Sequence, residues 1–314
     1  MGPPPTKSRE QTMSNTSLKV RGARFSIWPY LLVAPAVLVV GAILGYPIFR
    51  LFQLAFQKYG IEEIIFGAAQ YIGFENFATI FADEEFWQVL SRTIAFTVYA
   101  VTVSVVLGAI LAHALLRMSK PLVIVINSVL VIVWAMPQLV GISIWRWMFS
   151  YDFSVITGTI QNLGFDISNV NWFENPIIGF GIIGLVVIWG AIPFITISLY
   201  AGLTQVPKEF VEAAELDGAT RFQVFRNIYL PLLLPIYVIL ISLSIIWDFQ
   251  VFAHIWVMLE FRPDPAYYTL AVYAFQTSFG ISEYGRGSAI AVVMVFILLA
   301  STLYYLRQMI KESK

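Results

Sequence analysis

The sequence predicts an all-α membrane protein with six transmembrane helices and both termini in the cytoplasm. Three observations lead there. Hydrophobic residues make up 59% of the 314 and charged residues only 12%, whereas a soluble domain carries about a quarter charged residues. Six stretches are apolar over about 20 residues, the length a helix needs to cross a hydrocarbon core of about 30 Å. Basic and acidic connections alternate along the chain, as they do when successive loops lie on opposite sides of a bilayer.

Composition also excludes classes of function. The net charge is zero and no basic run stands out, so there is no footprint for nucleic acid. The absence of cysteine rules out a disulfide framework, Cys-ligated zinc and iron–sulfur clusters. With only His113 and His254 as histidines, no multi-histidine metal site is expected.

Residues 1–24 are rich in Pro, Ser, Thr and basic side chains and are predicted to be a disordered cytoplasmic tail. Residues 25–314 form the transmembrane domain. The apolar stretch after the tail is too long for the core of a cleavable signal peptide. The predicted spans are Trp28–Ile48, Thr93–Leu116, Leu122–Ile144, Ile177–Leu199, Leu232–Trp256 and Ser288–Leu306. Pro137, Pro193 and Pro235 lie in or near them and are expected to kink the helices without breaking them.

Orientation follows from the connections. The tail, the second-to-third connection (Arg117, Lys120), the fourth-to-fifth (Lys208, Arg221, Arg226) and the C-terminus (Arg307, Lys311, Lys314) are basic. The other three are acidic, with Glu62, Glu63, Glu75, Asp83, Glu84 and Glu85, then Asp152, Asp166 and Glu174, then Glu260, Asp264 and Glu283. Basic connections face the cytoplasm. Arg50 and Arg146 fall at outer helix ends and read as anchors that reach for water. His113, near the inner end of the second helix, reads as an interfacial side chain.

The most informative segment is the fourth-to-fifth connection, residues 204–231. Pro207 suits the first turn of a helix, with Glu209 close behind at its positive end. Gly218 stands where that helix would end in a left-handed residue. Thr220 and Gln223 form a capping box that opens a second helix, Phe222 and Phe225 share one of its faces, and Pro231 closes the segment before the next span. On physics alone this is either an interfacial connector packed on its own helices or a docking surface for a partner.

Glu212-Ala213-Ala214, Asp217-Gly218-Ala219, Phe225, Ile228 and Leu230-Pro231, with Pro235 following, resemble the EAA loop of permease subunits of binding-protein-dependent ABC importers. Tyr46-Pro47, Gly73-Phe74-Glu75-Asn76-Phe77, Trp145-Arg146-Trp147 and Tyr284-Gly285 are similar to segments of the carbohydrate permeases in that family, of the maltose and glycerol-phosphate type. The resemblance implies the type I importer permease fold. It implies that Glu212, Ala213, Ala214, Asp217, Gly218 and Ala219 form or support a coupling helix docked on a cytoplasmic ATPase. Where many members carry Gly-Gly-Pro after the fifth helix, this chain has Leu259-Glu260-Phe261-Arg262-Pro263.

No Gly-x-x-x-x-Gly-Lys-Ser/Thr loop occurs, so ATP is not bound here in the P-loop manner. No nucleophile–base or metal constellation suggests an enzyme. The resemblance implies a transport subunit that works with a second homologous permease, two copies of an ATP-binding subunit that hold ATP and Mg²⁺, and an extracytoplasmic sugar-binding lipoprotein. An ion-gradient-driven secondary transporter is the competing reading, but it calls for more intramembrane carboxylates and for repeated halves.

Asp248 is the sole acidic residue deep in a predicted span, followed by Gln250 and His254, whose spacing puts them on one helix face. A carboxylate at that depth faces the bundle interior or water. It serves either as a hydrogen-bonding link between helices or as part of the substrate path. Trp134, Gln138, Asn127 and Gln276 are further candidates for a path that accepts a di- or oligosaccharide.

Overall fold

The computed structural model describes Gly2 and residues 27–312, apart from residues 68, 152, 153, 166, 168 and 169. The predicted tail, Asp152, Asp166 and Lys314 therefore lie outside the described residues. The chain divides into two units, residues 1–48 and 49–314.

In the first unit, α1 (Trp28–Val40) passes through a π-helical turn at Gly41–Gly45 into the start of α2 (Tyr46–Ala55). The second unit opens with an outer segment. There α3 (Ile61–Phe66) sits between the two-residue strands β1 (Gln57–Lys58) and β2 (Gln70–Tyr71), which pair antiparallel with Gln57 opposite Tyr71. Asn76, in α4 (Glu75–Ala82), donates its amide to the carbonyls of Ala55 and Gln57, 2.9 Å each, and so satisfies backbone left free where α2 ends.

The spans follow: α5 (Glu84–Leu115), α6 (Lys120–Ala135) with α7 (Gln138–Met148), α8 (Val155–Asn162) on the outer connection, and α9 (Pro176–Leu203). Then come α10 (Lys208–Leu216), α11 (Arg221–Val224), α12 (Leu230–Phe249), α13 (Ala253–Met258), α14 (Leu270–Phe275) and α15 (Tyr284–Glu312). Among the described residues five helices are long and apolar enough to cross a membrane, and the bent pair α6–α7 makes the sixth.

Two expectations about the spans need correction. At Pro137 the third span is broken, with α7 turned 96° from α6. The ring of Pro137 forces Met136 to an extended ψ of 133°, which ends α6, and Pro137 itself becomes the N-cap of α7. Pro193 and Pro235, by contrast, lie inside continuous helices. The fifth span likewise stops at Phe249; Gln250 is a C-cap residue and His254 belongs to the separate helix α13. The i, i+4 relation expected for Gln250 and His254 on one helix does not exist.

Inner and outer below follow the charge assignment. The inner core packs Ala112 of α5, Ile195 and Leu199 of α9, and Leu233 and Leu240 of α12. An outer core joins Phe96, Ile183, Val186, Ile255 and Tyr267, and a third cluster sets Phe86 and Val89 against Leu270 and Ile290. Polar links fasten the outer ends. Arg92 donates to the carbonyls of Pro265 and Tyr268 at 2.8 and 3.1 Å, and Thr93 accepts from the Leu270 amide. Arg286, at the start of α15, pairs with Asp83 at the start of α5.

Candidate functional site

The inner loop is built as its residue types dictate. Helix α10 begins immediately after Pro207, which is the N-cap rather than a first-turn residue, and ends in a Schellman motif. Gly218 has a φ of +81°, its N–H reaches the Glu215 carbonyl at 3.0 Å, and the Ala219 N–H reaches the Ala214 carbonyl at 2.9 Å. The capping box forms: the Thr220 N–H donates to Gln223 Oε1, and the Gln223 N–H donates to Thr220 Oγ1.

Here the structure differs from the expected separate helix. From Arg221 the helix runs without interruption to Phe249, crossing a π-helical turn at Phe225–Tyr229 just ahead of Pro231. The second half of the loop is thus the first turns of the fifth span. Glu212, Ala213, Asp217 and Gly218 are exposed, while Ala214 and Ala219 are half-buried. Phe210, Leu216 and Phe222 are also exposed, Leu216 at 89%. Among the described residues nothing covers these apolar side chains, which flank the turn at Gly218.

His113 does not turn toward the headgroups as expected. Its Nδ1 hydrogen-bonds the Ala109 carbonyl, and its ring lies edge-on to Phe225 and Tyr229. The charge pattern carried no signal for this contact; the aromatic residues of the loop did.

The two broken spans meet at a cavity of about 480 Å³. Trp134 and Gln138 flank the break at Pro137, and Trp247, Asp248, Gln250 and His254 surround the break after Phe249; all six line it. Irregular backbone at membrane depth is tolerated where it borders a cavity, and both breaks do. The walls are aromatic and aliphatic. Trp134 stacks on Phe194 with centroids 6.1 Å apart, and Phe194 meets Trp247 at 5.6 Å.

Asp248 is 6% exposed, and its Oδ2 has no hydrogen-bond partner among the described residues. Gln250 donates its side-chain amide to the Ile246 carbonyl at 3.0 Å. Asn127 and Gln276 do not line the cavity. Sequence reasoning missed Trp189 and Phe194, whose place on the wall is set by the turn of α9 that faces the break. Arg146 is no simple anchor. It donates to Glu260 at 2.8 Å, across to the loop where Glu260 and Phe261 take φ of 57° and 64°.

Six spans, an exposed apolar loop at the inner end and a largely apolar cavity with a few polar groups between broken helices define a multi-pass membrane transport subunit. The chain belongs to the family of binding-protein-dependent transport system inner membrane components, which matches residues 104–312. It is 33% identical over 287 residues to the diacetylchitobiose uptake system permease protein DasB of Streptomyces coelicolor, covering 91% of this chain and 88% of that protein. It is 33% identical over 280 residues to the sulfoquinovosyl glycerol transport system permease protein SmoG of Agrobacterium fabrum, covering 88% of each. Its fold is similar to that of a bacterial ABC transporter involved in the import of the acidic polysaccharide alginate, with a TM-score of 0.73, 20% identity and coverage of 90% of this chain and 96% of that one.

Proposed function

We propose that this chain is the sugar-translocating permease of an ABC importer, working beside a second homologous permease. An extracytoplasmic binding protein delivers a di- or oligosaccharide to its outer face. The loop over residues 204–231 docks on one of two cytoplasmic ATP-binding subunits, which hold ATP and Mg²⁺. The cavity supports this reading most directly. It places flat aromatic walls beside Asp248, Gln250, His254 and Gln138, the mixture of apolar surface and a few polar groups that small-ligand sites use. A sugar presents both hydroxyls and apolar ring faces to such a site. The bare surface of Phe210, Leu216 and Phe222 around the Gly218 turn supports the docking role, with Glu212, Ala213, Ala214, Asp217 and Ala219 forming or backing the contact.

Motion then has a defined route. Closure of the ATPases moves α10, and the continuous helix from Arg221 to Phe249 carries that movement to the cavity wall. The test is gentle solubilisation of the tagged chain and identification of what co-purifies, followed by ATPase assays on the complex with its binding protein. A second permease and an ATPase should accompany the wild type, and a saccharide should raise the rate of hydrolysis. A chain that purifies alone, or a complex indifferent to every saccharide, would sink the assignment.

A further inference from the structure

We infer that the passenger is an uncharged saccharide, and that Asp248 is the group that turns away carboxylated or sulfonated sugars. This rests on the sugar-permease reading of the same cavity. Among the described residues Asp248 is the sole carboxyl group on the wall, and no Lys or Arg lines it. Sites that take carboxylates or sulfonates at low dielectric rely on the fork of an arginine or on a lysine. Three arginines of the outer half are committed elsewhere. Arg146 pairs with Glu260, Arg92 holds the carbonyls of Pro265 and Tyr268, and Arg286 pairs with Asp83.

Asp248 itself is buried with a free oxygen. A hydroxyl donated to that oxygen satisfies it at once. An acidic sugar in the same place must either face a like charge in an apolar surround or wait for Asp248 to take up a proton, and both weaken binding. The neighbouring acceptors and amides, Gln138 and Gln250, suit further hydroxyls. The two permeases similar to this chain are named for passengers of different charge, since diacetylchitobiose is neutral and sulfoquinovosyl glycerol carries a sulfonate. The lining of this cavity places the chain with the neutral class.

The test uses the intact solubilised complex and its own tryptophans, because Trp134 and Trp247 sit on the wall. Fluorescence quenching is titrated with three matched disaccharides: one neutral, one carrying a uronic acid, one carrying a free amine. The neutral sugar should bind at least about tenfold more tightly than the uronate. Asp248→Asn should bring the two within about threefold. Gln138→Arg, which adds a cation to the wall without touching Asp248, should recover uronate binding by itself. Equal binding of neutral and uronate sugars to the wild type would overturn the inference while leaving the sugar reading intact. So would a tenfold preference for the amine, or an unchanged ratio in both variants. If no disaccharide quenches and none stimulates hydrolysis with the binding protein present, the sugar reading itself fails and takes this inference with it.

Discussion

The imidazole of His113 stands edge-on to the ring of Phe225, centroids 5.1 Å apart and planes at 77°, and edge-on to Tyr229 at 5.5 Å. One histidine at the inner end of α5 thus grips both ends of the π-helical turn that joins the loop to the fifth span. Edge-to-face pairs of this kind contribute about 0.5–1.5 kcal/mol each. His113→Ala should therefore loosen the turn, raising amide hydrogen exchange at Phe225–Tyr229 about tenfold in the solubilised protein. His113→Phe should restore most of the protection. Unchanged exchange in the alanine variant would show that the rings touch without holding.

At Gly218 the cost of a side chain is purely conformational, because a Cβ there meets nothing within 4 Å. With φ at +81°, Gly218→Ala should destabilise the turn by about 1–2 kcal/mol, and Gly218→Asn by less, since Asn tolerates the left-handed region. Co-purification of the ATPase should fall in the order Gly, Asn, Ala, Leu. Equal retention by all four would separate the turn from docking.

Gly285 presents the opposite situation. Its φ is ordinary, but a Cβ would clash with the Gln57 carbonyl and come within 3.3 Å of the Leu54 carbonyl, and backbone cannot step aside. Gly285→Ala should force the start of α15 off the end of α2 and destabilise the protein by about 1–3 kcal/mol. Gly181→Ala, in open space on α9, serves as the comparison and should be within about 0.5 kcal/mol of wild type. Thermal unfolding of the two variants in one detergent decides the matter.

The number of spans, their order and the loop at 204–231 were legible because each is a local property. Length and apolarity mark a span, and Gly218, Thr220 and Gln223 mark their turn by residue type alone. The two broken helices were not legible in the same way. Pro137 breaks its helix while Pro193 and Pro235 do not, and the difference lies in whether neighbouring helices supply room and partners for the freed backbone, which a single stretch of sequence does not record. Asp248, Gln250, His254, Trp134 and Gln138 could be picked out one by one as polar or aromatic residues at depth. That they share a cavity depended on both breaks falling at the same level. Asn127 met the same criterion and lies elsewhere.

Tyr267 gives a pH dependence. Its hydroxyl donates to the Phe173 carbonyl at 2.7 Å, and burial, assisted by the charge of Asp264, pushes its pKa up to about 12 from 10.0. The folded protein holds this proton more tightly than the unfolded chain does. Its stabilisation is complete below pH 10 and is lost as pH rises toward 12. The midpoint of thermal unfolding should fall between pH 9.5 and 11, on the order of a few degrees, and Tyr267→Phe should fall less steeply over that interval. Parallel slopes would mean that other groups govern the alkaline limit.

The third and fifth spans are jointed beside the cavity, whereas α5, α9 and α15 are not. Helices α5, α9 and α15 run unbroken for 32, 28 and 29 residues, so a push at their inner ends arrives at their outer ends as the same displacement. The fifth span stops at Phe249 and the third turns through 96°, both beside the cavity, and a push along either is spent there as rotation. The protein is in this sense a linkage of three rods and two elbows, with the elbows set beside the cavity. On the proposed function, a stroke of the loop reaches the cavity wall as rotation and the outer ends of the rods as translation.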